Sequence, residues 1–210
     1  MNDPHGDAGA ATFTASHDGA SHDGACDESA CDDAALLGRI GQGDEDAMAA
    51  FYREHGRVVL GQVLLVVGER VLAEEIVQDT MLAVWHGAGS FRGESSVRSW
   101  VIAIARRQTR DRLRGHRLRV VDDTYLADQP SSGPGPEVTA LDRAELAEVT
   151  GAIRELAPPH RELLGLVFGS GLSLPDVAGV LEIPVGTVKS RLTAARTALG
   201  RVLNEKGQNR

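Results

Sequence analysis

The chain has 210 residues, of which 42% are hydrophobic and 4% aromatic, so it can bury the cores of one or two small domains. No apolar run approaches the ~18–20 residues that cross a bilayer, and the first residues lack the basic and then apolar order of a signal peptide. We therefore expect a cytoplasmic protein without a membrane contact. Its formal net charge is −8, and the charges are segregated along the chain.

Residues 1–34 have a composition of their own. They contain eight acids, no Lys or Arg, and an imperfect five-residue repeat that begins with two copies of ASHDG. Low apolar content with charge of one sign predicts a disordered acidic tail. Residues 35–210 are balanced, with 22 acids and 22 bases, so a basic surface in that part must be offset elsewhere in it.

The tail also holds both cysteines of the chain, which follow two histidines in the order H-x4-H-x3-C-x4-C. Imidazole and thiolate are zinc ligands, so a metal or redox sensor is one hypothesis for the set His17, His22, Cys26 and Cys31. The spacing is looser than the paired CxxC of a zinc knuckle. Incidental ligands in a repetitive tail are the preferred interpretation, and we predict no metal site and no cofactor.

Helical periodicity covers the next part of the chain, without the period-2 alternation of a strand. It predicts helices over 34–41, 44–67, 70–86 and 96–114. In the third helix the apolar positions form one core stripe, made of Leu72, Ile76, Val77, Met81, Val84 and Trp85. Glu75, Gln78 and Asp79 are left on an exposed acidic face of this helix.

Arginines crowd the fourth predicted helix and the residues after it. From Val97 to Val121 there are eight arginines and one acid, Asp111, for a local charge of +7. Helical spacing puts most of these arginines on the polar side, and the buried side is formed by Val97, Trp100, Val101 and Ile104. Because solvated helix faces usually mix both signs, this stripe indicates a polyanionic partner.

An acidic segment rich in Pro, Gly and Ser follows the arginines. Residues 122–148 hold seven acids and one base, and DQPSSGPGPE at 128–137 excludes a helix or strand. Beyond it the pattern predicts helices over 138–156, 160–169, 173–181 and 185–203. We predict an all-α fold of two small helical domains, with an acidic tail at 1–34, a first domain at 35–121, a flexible linker at 122–137 and a second domain at 138–210.

Residues 172–199 predict two short helices joined by a tight turn. Ser173 can cap the first helix, with Asp176 reaching back to the backbone N–H of Ser173, and Pro184 cannot continue it. The second helix has one narrow apolar stripe, formed by Val188, Leu192, Ala195 and Leu199. Between 185 and 201 there are four bases and no acid, so its outward face suits a phosphate-lined major groove.

Three segments, in this order, resemble the extracytoplasmic-function group of bacterial sigma factors. They are AEEIVQDTMLAVW (73–85), SFRGESSVRSWVIAIARR (90–107) and LAPPHRELLGLVFGSGLSLPDVAGVLEIPVGTVKSRL (156–192). The resemblance covers about 35–203 and implies sigma region 2 in the first domain and region 4, with its helix-turn-helix, in the second. It implies a non-catalytic specificity subunit that directs core RNA polymerase to −10 and −35 promoter elements.

The resemblance also implies partners and site residues. The expected partners are the beta and beta-prime subunits of core RNA polymerase and promoter DNA, with an anti-sigma factor as a further candidate. The acidic face Glu75, Gln78 and Asp79 would dock on the polymerase clamp. A flipped −10 base and the −10 duplex would be held by Phe91, Arg92, Ser95, Ser96, Arg98, Arg106, Arg107, Arg110 and Arg114. The −35 element would be read by Thr187, Lys189, Ser190, Arg191, Thr193 and Arg196.

The chain departs from the family pattern at a few positions. Arg107 stands where the family usually has Asn, which favours phosphate contact over base contact at the −10 element. Thr193 and Ala194 replace a bulky and a basic residue, so the −35 reader has fewer long donors. The resemblance implies that the linker runs toward the RNA exit path of the polymerase. Its acids then either mimic the negative charge of RNA or belong to a passive tether.

Two other classes of protein compete with this interpretation. GTVKSRL also resembles the reader helix of stand-alone response regulators, but such proteins carry an α/β receiver, and the N-terminal part shows no parallel-strand pattern. An enzyme would need a catalytic constellation, and no phosphate loop, HExxH or nucleophile triad context is present. The histidines at 55, 86, 116 and 160 lie in unrelated segments, which is typical of core or surface residues.

Overall fold

The structure is a computed structural model that describes residues 28–119 and 149–208. The N-terminal half consists of α1 (Glu28–Ile40), α2 (Glu45–Val67), α3 (Arg70–Gly87), a 3-10 turn (Ala88–Ser90) and α4 (Val97–Arg119). The C-terminal half consists of α5 (helical over 149–155), α6 (Pro158–Leu164), a π turn (Gly165–Gly169), α7 (Leu174–Leu181) and α8 (Val185–Gln208). Every regular element in these ranges is helical, which confirms the predicted all-α class.

The start and end of α2 follow from two residues. Asp44 caps the helix, because its Oδ1 accepts the N–H of Ala47 at 3.0 Å. That bond, and after it the bond from Arg39, lowers the pKa of Asp44 below its ordinary value. Gly68 ends the helix in the left-handed region at φ 77° and returns its N–H to the carbonyl of Leu64, a conformation that favours glycine. These two turns place α1 and α3 beside α2.

The core of the N-terminal half lies between α2, α3 and α4. Phe51, Ile76 and Ile102 are among its fully buried side chains. The predicted stripe on α3 is confirmed at Ile76, Val77, Met81 and Val84, whereas Leu72 and Trp85 are half-buried at its edges. The polar residues of α3 are therefore directed away from this core.

Helix α1 begins at Glu28, inside the segment predicted as a disordered tail and ahead of the predicted helix start at 34. Leu37 and Ile40, inside the predicted range, are fully buried, and one residue ahead of that range Asp33 Oδ1 lies 3.1 Å from Nε2 of the buried His55. Residues 1–27 and 120–148 lie outside the described part. The predictions of the acidic tail, the linker and the start of the helix at 138 fall on these residues. In the two described ranges no helix combines the length and apolarity needed to cross a membrane.

The two halves pack directly on each other, which the sequence did not predict. Helix α2 contacts α6 and the π turn, and α4 contacts α7. Leu163, Leu164 and Leu166 are buried. At Gly165 a Cβ would overlap the Gln62 side chain and come within 2.8 Å of Leu65 Cδ1. Glycine therefore allows the π turn to approach α2 closely.

Candidate polymerase and promoter DNA interfaces

The acidic face of α3 carries an arginine from the neighbouring helix. Glu75 and Gln78 are exposed and Asp79 is half-buried. Arg112 of α4 donates from Nη2 to Asp79 Oδ2 at 2.6 Å and from Nη1 to Glu75 Oε2 at 3.3 Å. The bond to Asp79 raises the pKa of Arg112. The face is thus two oriented carboxylates with one guanidinium between them, and the sequence had not paired Arg112 with it.

Two exposed apolar side chains flank this acidic face. Val71 is 63% exposed and Leu82 is 59% exposed. Each lies four residues from one member of the face, Val71 from Glu75 and Leu82 from Gln78, so all four share one side of the helix. Apolar side chains on the same side of the helix as a charged cluster offer area for a protein contact. Sequence reasoning missed both, although their helical spacing from the acidic face was a usable signal.

In the loop ahead of α4, which is predicted to hold the flipped −10 base, Phe91, Ser95 and Ser96 are engaged in local structure. The Phe91 ring meets Trp100 edge to face, with centroids 5.4 Å apart, and Ser96 Oγ accepts the N–H of Ser99 at 3.1 Å, which caps α4. Ser95 Oγ lies 3.4 Å from the Ser96 carbonyl. Arg92 extends into solvent, and its Nη1 lies 4.0 Å from Glu94. Arg92 is therefore the long cationic side chain that this loop offers to a ligand.

The predicted −10 arginines separate into two groups. Arg107 and Arg114 are exposed, and Arg107 Nε lies 4.0 Å from Asp111. The other three arginines are directed toward the C-terminal half. Arg106 Nε donates to Glu162 Oε1 at 2.7 Å, Arg110 Nη2 lies 3.9 Å from Glu182 Oε1, and a Cβ at Gly171 would lie 3.8 Å from Arg98 Nη1.

The helix-turn-helix has the predicted outline with one change at its cap. Ser173 Oγ accepts the N–H of Asp176 at 3.2 Å, but the Asp176 carboxylate accepts the Ser173 hydroxyl at 2.6 Å instead of the backbone N–H that the capping box predicted. The serine hydroxyl can do both, because its oxygen accepts while its proton is donated. Glu182 makes the turn in the left-handed region at φ 59°.

Helix α8 presents the residues predicted to read the −35 element. Val188, Leu192 and Ala195 are buried and Leu199 is half-buried, which confirms the apolar stripe. Thr187 is half-buried, and five predicted reader residues are exposed, namely Lys189, Ser190, Arg191, Thr193 and Arg196. The helix continues to Gln208, past the predicted end at 203.

The hydroxyls of this face donate to their own helix. Ser190 Oγ bonds the Thr187 carbonyl at 3.0 Å and Thr193 Oγ1 bonds the Lys189 carbonyl at 3.1 Å, so each hydroxyl still offers oxygen lone pairs to an outside donor. Arg196 lies over the ring of Phe168 at 5.5 Å, and Phe168 is 61% exposed. Phe168 is a contact of the reader helix that sequence reasoning did not identify.

Within the described ranges no group of three or more His, Cys, Asp or Glu side chains is placed to hold a metal ion. The hypothesis of a site at His17, His22, Cys26 and Cys31 is not tested by this finding. His17, His22, Cys26 and the side chain of Cys31 lie outside the described part.

Comparison with known proteins decides the family. Residues 51–119 match the model for Sigma-70 region 2, and residues 146–199 match the model for Sigma-70, region 4. The chain belongs to the extracytoplasmic-function sigma factors. It is 35% identical over 167 residues to the ECF RNA polymerase sigma factor SigL of Mycobacterium tuberculosis, covering 78% of this chain and 92% of the relative. It is 31% identical to the RNA polymerase sigma factor NccH of Alcaligenes xylosoxydans xylosoxydans, covering 80% and 93%.

Solved structures agree with the fold of the sigma factor. CnrH in complex with the cytosolic domain of CnrY matches with a TM-score of 0.60 and 24% identity, over 83% of this chain and 98% of CnrH. The sigma factor RpoE, in complex with the anti-sigma factor NepR from Bartonella quintana, matches with a TM-score of 0.59 and 25% identity, over 74% and 97%. The first likeness concerns the fold alone.

These matches confirm the predicted function, an alternative sigma factor for promoter recognition by RNA polymerase. A stand-alone response regulator is excluded, because the N-terminal half of the sigma factor matches region 2. As a sigma factor the chain is a regulatory subunit whose partners are core RNA polymerase and promoter DNA. The roles of individual residues are not tested by the comparisons.

Proposed function

We propose that this sigma factor docks on core RNA polymerase through the outer face of α3, holds the −10 element with α4 and the preceding loop, and reads the −35 element with α8. It acts in the cytoplasm as a non-catalytic specificity subunit bound to the beta and beta-prime subunits. The observation that carries the proposal is the separation of surfaces. An acidic and apolar face lies on α3, while α4 and α8 present arginines and lysine.

The α3 face suits a partner that is basic with apolar gaps. Glu75 and Asp79 each give one oxygen to Arg112, which leaves the second oxygen of each carboxylate to accept a bond from a polymerase cation. Val71 and Leu82 supply apolar area at the two ends of the face. Charged groups at the centre and apolar groups beside them provide orientation and affinity together.

The two basic helices suit different tasks. Arg107, Arg114 and Arg92 are long exposed cations that contact phosphates without regard to sequence. On α8 the short side chains of Ser190 and Thr193 let the helix approach base edges, with Lys189 and Arg191 beside them for phosphates or guanine. Sequence selection therefore depends more on α8 than on α4.

Anti-sigma binding is a further part of the proposal. Two sigma factors with the same fold, CnrH and RpoE, are bound in their structures by CnrY and by NepR. We infer that an anti-sigma factor also regulates this chain. Co-expression with its genomic neighbours and purification of a stable sigma complex would test this inference.

The decisive experiment is run-off transcription with purified core polymerase and mapped promoters. The wild-type chain should confer promoter-dependent initiation, and Glu75→Lys with Asp79→Lys should abolish binding to core while the helical circular dichroism is retained. A matched control reverses the charge of two exposed acids elsewhere, with Glu54→Lys and Glu205→Lys. Core binding by the α3 double variant equal to that of the control would refute the clamp assignment, and sequence-specific promoter binding without polymerase would refute the wider proposal.

A further inference from the structure

Phe168 is a large apolar side chain that the core does not use. Its ring is 61% exposed, although buried residues lie on both sides of it in the chain, Leu166 at 1% and Ser170 at 2%. The backbone between them belongs to the π turn, in which the N–H of Ser170 bonds the carbonyl of Gly165 at 2.8 Å. Anchored neighbours therefore hold this ring at the surface.

The ring contacts one exposed side chain of α8 through its face. The guanidinium carbon of Arg196 lies over the Phe168 ring, 5.5 Å from its centroid, which is the geometry of a cation–π contact. Among the described residues none accepts a hydrogen bond from this guanidinium, and no carboxylate lies within 4.0 Å of it. The five N–H donors of Arg196 are therefore available to an outside acceptor.

The kind of partner distinguishes Arg196 from several arginines of α4. Arg106, Arg110 and Arg112 each lie within 4.0 Å of a carboxylate, whose negative charge offsets the positive charge that a phosphate would meet. An aromatic ring attracts a cation through its quadrupole but has no net charge. Phe168 therefore restrains the guanidinium and leaves its full charge for a polyanion.

Arg196 lies at the edge of the outward side of α8. It comes four residues after the buried Leu192 and three before the half-buried Leu199, so it borders the apolar stripe. Lys189, seven residues earlier, lies on the same edge, about 10 Å away along the helix axis at about 1.5 Å per residue. Cations at the edge of a helix in the major groove meet the sugar–phosphate backbone, whereas residues at its centre meet base edges.

We propose that Phe168 is a positioning residue for −35 binding, because its ring holds Arg196 where that guanidinium contacts a promoter phosphate. This inference rests on the proposed role of α8 at the −35 element. An arginine loses much rotamer freedom when it is immobilised, and a side chain that is already restrained in the free protein loses less on binding. The ring thus strengthens binding without touching DNA, and to the same extent for every −35 sequence.

The test is a double-mutant cycle on promoter binding by the holoenzyme of the full-length chain and core polymerase. Phe168→Leu keeps an apolar side chain but removes the aromatic face, and it should weaken binding about threefold, the effect of one exposed cation–π contact. Phe168→Tyr keeps the face and should bind like wild type. Tyr52→Leu is the matched control, since Tyr52 is a 53% exposed aromatic residue on α2, and it should also bind like wild type.

Arg196 completes the cycle. Arg196→Ala should weaken binding to all mapped promoters alike and reduce the salt slope by about one. In that background Phe168→Leu should have no further effect, because the ring has no cation left to hold. A threefold loss that persists without Arg196 would refute the positioning role, since the ring would then act by direct contact or through the fold. A loss from Arg196→Ala confined to some −35 sequences would refute the phosphate contact.

Failure of this inference and failure of the proposed function give different results. If Ser190→Ala or Lys189→Ala weakens promoter binding but Arg196→Ala does not, Arg196 makes no phosphate contact and only this inference is overturned. Equal binding by Phe168→Leu and wild type likewise overturns this inference alone. If all of the α8 variants bind like wild type, the role of α8 in the proposed function is overturned as well.

Discussion

The Arg112 guanidinium donates to a single oxygen of Asp79 through both Nε, at 3.0 Å, and Nη2, at 2.6 Å. The bond links α4 to α3 near the outer edge of the N-terminal half, and the third contact reaches Glu75. It holds two carboxylates of like charge, four residues apart on one helix, in a common orientation.

Replacing Arg112 should reveal how much this bridge contributes. Arg112→Ala should lower the free energy of unfolding by about 0.5–1 kcal/mol, because the pair is about half exposed and solvent screens it. Arg112→Lys should recover part of that loss, since one ammonium cannot make the forked contact. Urea titration would measure both, with Arg57→Ala as an exposed control on α2; equal losses for Arg112→Ala and Arg57→Ala would contradict the prediction.

The apolar flank of α3 should contribute to polymerase binding without stabilising the fold. Leu82→Ser should weaken binding to core by about 1 kcal/mol, or roughly fivefold, if half of the side chain becomes buried in the complex. Its melting temperature should stay near that of wild type, because Leu82 is largely exposed. Val149→Ser is a control, since Val149 is also exposed but lies in the C-terminal half. A lower melting temperature with unchanged core binding would argue against the flank.

Mutations in the two basic helices should differ in which promoters they weaken. Ser190→Ala or Lys189→Ala should cost ~1–3 kcal/mol at promoters that carry the −35 base contacted by that side chain and little at promoters that lack it. Arg107→Ala or Arg114→Ala should weaken all promoters alike and reduce the salt slope by about one. Holoenzyme binding to a set of promoters at several salt concentrations measures both effects. Uniform losses from the α8 variants would mean that α8 does not read sequence.

The cap of α2 should make stability depend on acid. Because the folded-state pKa of Asp44 lies below its ordinary value of 3.8, the stabilisation is present above pH 3.8 and is lost as the pH falls through the lower folded pKa. Asp44→Asn keeps an N-cap acceptor but removes the titration. Melting temperatures between pH 2 and pH 7 should therefore show a smaller acid-induced loss for Asp44→Asn than for wild type. Parallel curves would rule out a contribution from this carboxylate.

Local sequence was enough to predict most of the helices, their buried faces and the family. Caps and breakers act locally, so Asp44, Gly68 and Pro184 mark helix ends without reference to the rest of the fold. The α8 stripe of Val188 and Leu192 follows from the helical period alone. The family motifs likewise lie in continuous segments, which is why region 2 and region 4 are recognisable from the sequence.

Helix packing, in contrast, determines which charges meet. Arg106 and Glu162 are 56 residues apart and Arg112 and Asp79 are 33 apart, and no local rule pairs such distant groups. Asp33, one residue ahead of the predicted start of α1, likewise contacts the distant residue His55 on another helix.

The reason is the range of the interactions involved. Helix periodicity and capping depend on residues within one or two turns, whereas an ion pair across an interface depends on how the helices pack. The sequence therefore predicted that α4 is basic, and the packing of the C-terminal half decided that Arg106 faces Glu162 while Arg107 stays exposed.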